Sequence, residues 1–507
     1  MFRSILSSIN DKGKPMQRSA RTAVFISVCL LFLMTGCGEK KRIDEASAKL
    51  LAAAKDGDEE SVGKLLTGPY GPDAISGSGG KALFWAARKG NKKIVEMLLK
   101  NGANVNYTDE NQKTPLLWAS EKNYPEIVRL LIDNMADVNA IQADGNSALI
   151  QAAERGHVNV VKELIHSTVI KVDWKNKNGA TALIMACSGS KAPIVWMLLL
   201  KGADVNVSTN YGFTPLVNAA ANGTPDMVKM LIDKGASLQD ENFQDSPLYW
   251  AAKNRNADTI EPILMKVKDI NAGDKIGKTL LMWAAQEGFV ELASRLIRKG
   301  ANVNAVSKDG KTALIYAAHS GCSDIVRMLL QKGAELEAGE NQTLKTALFF
   351  AVDQGNADCV ELLISKGANV KAKNNNFATP LHYAARKGLT AIAALLIKHG
   401  AEVDAGTDSG DTPLIIASAY GTMETIGLLV KNGANVNQRN SNGFTPLILA
   451  SEYGDIEKVE FLLRNNANIN AETEIGESSI YLASKKKHDA IVELLRKYGA
   501  KKPEIPK

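Results

Sequence analysis

One short pattern returns fourteen times at almost constant spacing, and nothing else in the 507 residues restricts the fold so strongly. Thr or Ser comes first, then Pro or Ala, Leu, an apolar residue, any residue, Ala, and Ala or Ser. It stands as TPLLWAS from Thr114, SALIQAA from Ser147, TALIMAC from Thr181, TPLVNAA from Thr214, TPLHYAA from Thr379 and TPLILAS from Thr445. Weaker copies open the series at Ala48 and Lys81, and another closes it at Ser478. Successive copies lie 32 to 34 residues apart. A fixed period of this length means a stack of equal supersecondary units, each in contact only with its neighbours.

The chemistry of one unit can be read from its residues. The Thr or Ser hydroxyl accepts a backbone N–H and starts a helix, and Pro beside it loses no intrahelical bond. Leu and the Ala pair share a face, where small side chains allow close packing. A second pattern follows, as in Val95–Asn106 and Val326–Ala334, with Ile/Val and paired Leu at helical spacing. Gly then ends this helix, for example Gly202, because it accepts the left-handed conformation without steric cost. Asp144-Gly145-Asn146 and its counterparts supply the turn before the next Thr.

This unit resembles the ankyrin repeat, a β-turn with two helices and a T-P-L-H-x-A signature, over residues 44 to about 500. Only His382 stands at the signature histidine. The resemblance implies an all-α ankyrin-repeat solenoid of about fourteen helix-turn-helix units with β-turn fingers. It also implies non-catalytic protein binding through the concave helix face and the fingers. Stacked ~8–10 Å apart, such units make a curved rod on the order of 130 Å long. Asp56, Asp58, Glu59 and Glu60 give the first unit a polar outer face, and Lys485, Lys486 and Lys487 the last.

The N-terminus has a different character. Arg3, Lys12, Lys14, Arg18 and Arg21 face only Asp11 there, and without residues 1–36 the net charge falls from +6 to +2. A near-neutral body has no field to draw a phosphate backbone, so nucleic acid is not an expected partner. The apolar run Ala23–Met34 is too short to span a bilayer and suits a signal peptide. It ends in Leu33-Met34-Thr35-Gly36-Cys37, which resembles the lipobox of bacterial lipoproteins. That resemblance implies cleavage before Cys37 and its lipidation. Plain secretion with Cys37 incidental is the alternative, and Met16 offers a second start. The expected order is a signal peptide over 1–36, a short tether over 37–43 spanning about 20 Å, the solenoid over 44–500 and a tail over 501–507. The expected location is a bacterial envelope, the chain monomeric and lipid-anchored on the periplasmic or surface side of a membrane.

Some positions break the pattern. Gly is missing after the second helix at Ser167–Lys171 and near Lys266, and Pro262 falls inside a second helix, where it should kink or shorten it. Weak coupling between units is expected there. Rings follow the signature Leu by two positions at Trp85, Trp118, Trp250, Trp283, Tyr316, Phe350 and Tyr383. Their place beside the Ala pair reads as core packing. Trp196, on a second helix where other units carry charge, reads as exposed. Among the fingers, most of them polar, three in a row carry rings: Trp174, then Tyr211 with Phe213, then Phe243. These are the expected partner-binding residues, with Tyr420, Phe444 and Tyr453 a second candidate set. Of the six histidines only His319 is expected on the concave face. No metal spacing, phosphate loop or nucleophile elbow is present in the sequence. No cofactor is expected. A chain delivered outside the cell to a foreign or host partner is the alternative function, and an enzyme with a site assembled across repeats a remoter one.

Overall fold

The Thr/Ser-plus-Leu pattern and the Ile/Val–Leu-Leu pattern each form a short helix, and the two pack as an antiparallel pair. The computed structural model describes residues 39–238 and 243–501. Cys37, the apolar run before it and tail residues 502–507 lie outside the described residues. No described helix is long and apolar enough to cross a membrane.

Among the described residues the chain is all-α, with fourteen helix pairs in register with the sequence repeat. Repeat 3 is representative: Pro115–Glu121 and Pro125–Asp133. Repeat 1 pairs the helix over residues 39–56 with Glu59–Thr67. The expected tether is therefore not extended where it is described, because residues 39–43 already belong to that helix. The first connection also differs from the rest. Instead of a finger, Gly71–Ala74 and a π-helical turn, Ile75–Gly79, run straight into Gly80–Lys89. Gly80 is required in this passage, because a Cβ there would meet the Tyr107 side chain at 2.8 Å.

The N-cap reading holds in detail. Thr114 Oγ1 accepts from the Leu117 N–H at 3.2 Å and Ser147 Oγ from the Ile150 N–H at 3.3 Å. At Thr379 the cap is a reciprocal box. The Thr379 N–H donates to His382 Nδ1 at 3.0 Å, and His382 Nε2 lies 3.0 Å from the Asp411 carbonyl of the next finger. Burial holds the His382 imidazole below its usual range. Glycine closes most second helices at positive φ, while Met135 and Asn466 take the same conformation without being glycine. Pro262 is accommodated within Ala257–Leu264, a helix one residue shorter than most of its counterparts.

The chain divides into two compact units, Met1–Ser237 and Leu238–Lys507. Pro262 belongs to the repeat whose first helix, Pro247–Lys253, packs least on the first helix that follows it in the unit. Within each unit the first helices pack on their neighbours, except that Pro247–Lys253 meets Leu280–Glu287 only slightly, and each lies on its own second helix. The core is the Leu, Ile, Val and Ala of both helix types, with Phe349 the largest fully buried side chain.

Fingers add a second, polar line of coupling. Backbone bonds run from one to the next, such as Ala143 N to Asn111 O at 3.1 Å and Asn341 N to Asp309 O at 3.0 Å. Side chains at the finger bases do the same: Asn106 Oδ1 accepts from the Asp137 N–H at 2.8 Å, and Asn304 Oδ1 from the Glu335 N–H at 2.9 Å.

Candidate protein-binding face

Along each first helix, the position four after the Thr or Ser and those seven and eight after it lie on one stripe, since residues three and four apart share a helix face. The apolar residues and the Ala pair occupy the opposite side and bury against neighbouring helices. The stripe is therefore the outward side of the first helix, and here the expectation for the rings needs correction. Trp85, Trp118, Trp250, Trp283, Tyr316, Phe350 and Tyr383 are half-buried and line a surface rather than filling the core.

In the second unit, five consecutive first helices carry these rings, and cations lie over four of them. Lys253 Nζ is 4.7 Å from the Trp250 ring centroid. Lys278 Nζ lies 3.6 Å from Trp283 and 4.2 Å from Tyr316, bridging two repeats. Lys345 and Arg386 approach Tyr383 at 5.0 and 5.3 Å. Polar bonds fix the rings as well. Trp283 Nε1 donates to Asp274 Oδ2 at 3.0 Å, and Asn374 donates to the Tyr383 hydroxyl at 3.3 Å. His319 stands edge-on to Phe350, 5.9 Å between centroids.

Lys278 is unusual because the whole residue is only 4% exposed. Its ammonium also bonds to Gln286. Burial pushes its pKa down to about 8, against the pull of Asp274, Glu287 and Asp309. Burial likewise raises the Tyr316 phenol above its usual range.

The finger rings divide. Tyr211 is 76% exposed, but Phe243, three residues before its Ser as Tyr211 is before its Thr, is 6% exposed. Residues Phe243–Asp245 form a 3-10 turn that carries the ring inward. It stacks on Trp283 at 5.5 Å and meets Tyr249 edge-on at 5.7 Å. Phe243 is therefore part of the packing and not a contact surface. Trp174 is half-buried, its Nε1 donating to the Gly145 carbonyl of the preceding finger at 2.9 Å. Phe213 is also half-buried. Phe444 packs against Ile448, Ala471 and Leu482. Tyr420 and Tyr453 are exposed, but they belong to the last turns of first helices rather than to fingers. Phe377 is an exposed finger ring that sequence reasoning missed. Its signal was a bulky residue where other fingers have Gly, and it adopts φ 57° there.

Cys187 and Cys359 are buried free thiols and Cys322 is half-buried. Burial, with Cys322 nearby, pushes Cys359 up to about 11. Among the described residues, no group of three or more His, Cys, Asp or Glu could hold a metal ion.

The family profile for ankyrin repeats (3 copies) matches six stretches: 50–142, 136–209, 190–274, 248–340, 336–407 and 414–504. This chain belongs to the ankyrin-repeat family. It is similar to part of the ankyrin repeat and KH domain-containing protein mask-1 of Caenorhabditis elegans, 36% identical over 115 residues, or 22% of this chain and 4% of that protein. It is also similar to part of the tyrosine-protein kinase Shark of Drosophila melanogaster, 34% identical over 95 residues, or 18% of this chain and 10% of the kinase. A third relative is the E3 ubiquitin-protein ligase KEG of Arabidopsis thaliana, 33% identical over 111 residues, or 21% of this chain and 7% of the ligase. The chain thus spans no more than a tenth of these relatives' lengths, and two of the three names describe different activities, a kinase and a ligase. An ankyrin stack of this kind is a fold for binding proteins.

Proposed function

We propose that this ankyrin-repeat protein is a non-catalytic scaffold. It holds partner proteins on the first-helix stripe, and it is exported and tethered to a bacterial envelope membrane through lipid on Cys37. The observation that carries the binding half is the run of half-exposed rings from Trp250 to Tyr383, four of the five with a cation over the ring. Aromatic residues and Arg dominate the energy of protein interfaces. Five repeats at ~10 Å cover about 40 Å, which suits a partner patch of ~800 Å². The export half is supported by the basic stretch, the apolar run and Leu33-Met34-Thr35-Gly36-Cys37.

The test is cross-linking in intact cells followed by recovery from envelope fractions. The variant Trp250→Leu, Trp283→Leu, Tyr383→Leu puts an aliphatic residue where repeat 13 has Leu449. If this variant folds, as judged by circular dichroism, and still captures the partners at wild-type yield, the stripe is not the binding face. Cys37→Ser should release the chain to the soluble fraction and abolish labelling by an acyl probe. Continued labelling of that variant would refute lipidation at Cys37.

A further inference from the structure

The first unit repeats the ring-and-cation stripe with a different balance of charge. Trp85 and Trp118 stand on consecutive first helices, and the Arg88 guanidinium lies between them, 4.7 Å from one ring centroid and 4.4 Å from the other. Lys55, from the helix of repeat 1, lies 5.0 Å from Trp85. Lys113, from the finger, and Lys122 lie 4.1 and 5.8 Å from Trp118. Four cations therefore surround two indoles across three consecutive repeats.

Carboxylates do not balance them. In the last turns of these three first helices the acids are Asp56 and Glu121. Glu121 is already held by Lys113 at 2.6 Å and Arg155 at 3.2 Å, which keep its carboxyl below the usual range against the effect of burial. Among the described residues no carboxylate lies within ion-pair distance of Lys55, Arg88 or Lys122, and ring faces stand in for it. A ring quadrupole attracts a cation but leaves its charge uncancelled. The second unit differs in density: Trp250 and Trp283 each have one cation over the ring, and Arg386 beside Tyr383 pairs with Asp353.

We infer that the Trp85–Trp118 stripe is a docking surface for an extended acidic peptide segment of a partner protein, whose carboxylates pair with Arg88, Lys122 and Lys55. This deepens the scaffold reading given above and rests on it. Three successive first helices set ~20 Å between the outermost, a distance an extended chain covers in about six to eight residues. Side chains on one face of such a chain repeat every ~7 Å, so about four of them lie along that ~20 Å. Arg88, half-buried between the two rings, and the exposed Lys55 and Lys122 give such a site selectivity and a fast on-rate through charge complementarity. The indole edges between them receive the apolar stems of the acidic residues.

The experiment measures binding of a dye-labelled peptide of alternating Glu and Ala, about eight residues long, to the full chain. A Gln-for-Glu peptide of the same length is the comparison. The acidic peptide should bind at least about tenfold more tightly, with affinity falling as salt rises. Arg88→Gln with Lys122→Gln should weaken it about tenfold or more, while Arg88→Lys keeps most of it. Lys332→Gln with Lys431→Gln removes the same charge from exposed sites on the second unit and should leave binding unchanged.

Equal binding of the Gln peptide, or equal loss in the Lys332/Lys431 variant, overturns the proposal. So does displacement of the peptide by oligodeoxythymidylate, or by vesicles containing phosphatidylglycerol, at lower concentration than by unlabelled peptide. Thermal melts of each variant identify any loss that comes from misfolding. The Trp250, Trp283 and Tyr383 variant should retain acidic-peptide binding. Failure of the scaffold reading therefore shows as lost support for that stripe, and failure of the present inference as peptide binding indifferent to Arg88.

Discussion

Tyr420 and Tyr453 join two repeats at the surface. Their hydroxyl oxygens are 2.7 Å apart and their rings meet edge to face at 5.2 Å, although the residues are 60% and 49% exposed. One hydroxyl donates and the other accepts. The hydrogen bond to Tyr420 is the main reason the Tyr453 phenol is pushed up to about 12, with burial secondary.

Titration of tyrosinate absorbance should show this directly. The wild-type chain keeps one tyrosine protonated to about pH 12, and Tyr420→Phe should return that step to the ordinary value of about 10. Because the folded pKa lies above the unfolded one, this group favours the fold below about pH 10, and the contribution disappears as pH rises through 12. An unchanged titration in Tyr420→Phe would show that the pair does not persist in solution.

Lys278 gives the opposite slope. Its folded pKa of about 8 lies below the ordinary 10.5. Between those values the unfolded chain holds the proton and the folded chain does not, so stability rises with pH across the window. Relative to Lys278→Met, wild type should gain on the order of 1–3 kcal/mol between about pH 7 and about pH 10. Urea midpoints at the two pH values check it, and parallel midpoints in both proteins would contradict it.

Met135, 83% exposed, is held at φ 69° where most repeats have Gly. The left-handed conformation costs an L-residue about 1–2 kcal/mol, partly offset by the entropy glycine loses on folding. Met135→Gly should stabilise the first unit by about 0.5–1 kcal/mol in urea unfolding. A destabilised variant would mean that the methionine packs in a way its exposure does not reveal.

Unfolding should proceed in more than one step, because contacts are between neighbours only and the chain divides at Ser237/Leu238. Variants that retain only Trp118 or only Trp283 report on one unit each. Their fluorescence midpoints in urea should differ, and coincident transitions would show one cooperative array.

The fold was legible in the sequence because each signal acts locally: Thr114 caps, Pro115 starts, Gly202 stops, and the period repeats them. The candidate site was legible only in part. Rings such as Trp250 were assigned to the core because they adjoin the Ala pair. The helical period instead places them with the charged positions three and four residues on, such as Lys253, and that signal was available. Phe243 and Tyr211 could not be told apart in this way, since both stand three residues before a cap. What separates them is the 3-10 turn at Phe243–Asp245 and the stacking on Trp283, a contact between residues forty positions apart.

The finger-base bonds have a bearing on how such a chain can lengthen or shorten over time. Asn106 bonds to Asp137, Asp173 to Asp204, Asn437 to Asn468 and Asn470 to Lys501, each across 31 residues. Every rung names its partner by distance along the chain and not by identity. A duplication or excision of one whole period within a unit delivers the same acceptor to an equivalent N–H. A cut of any other length leaves a rung facing the wrong atom. The gene can therefore gain or lose a repeat without inventing new contacts at the junction, and binding faces can be reassorted while the polar seam stays intact.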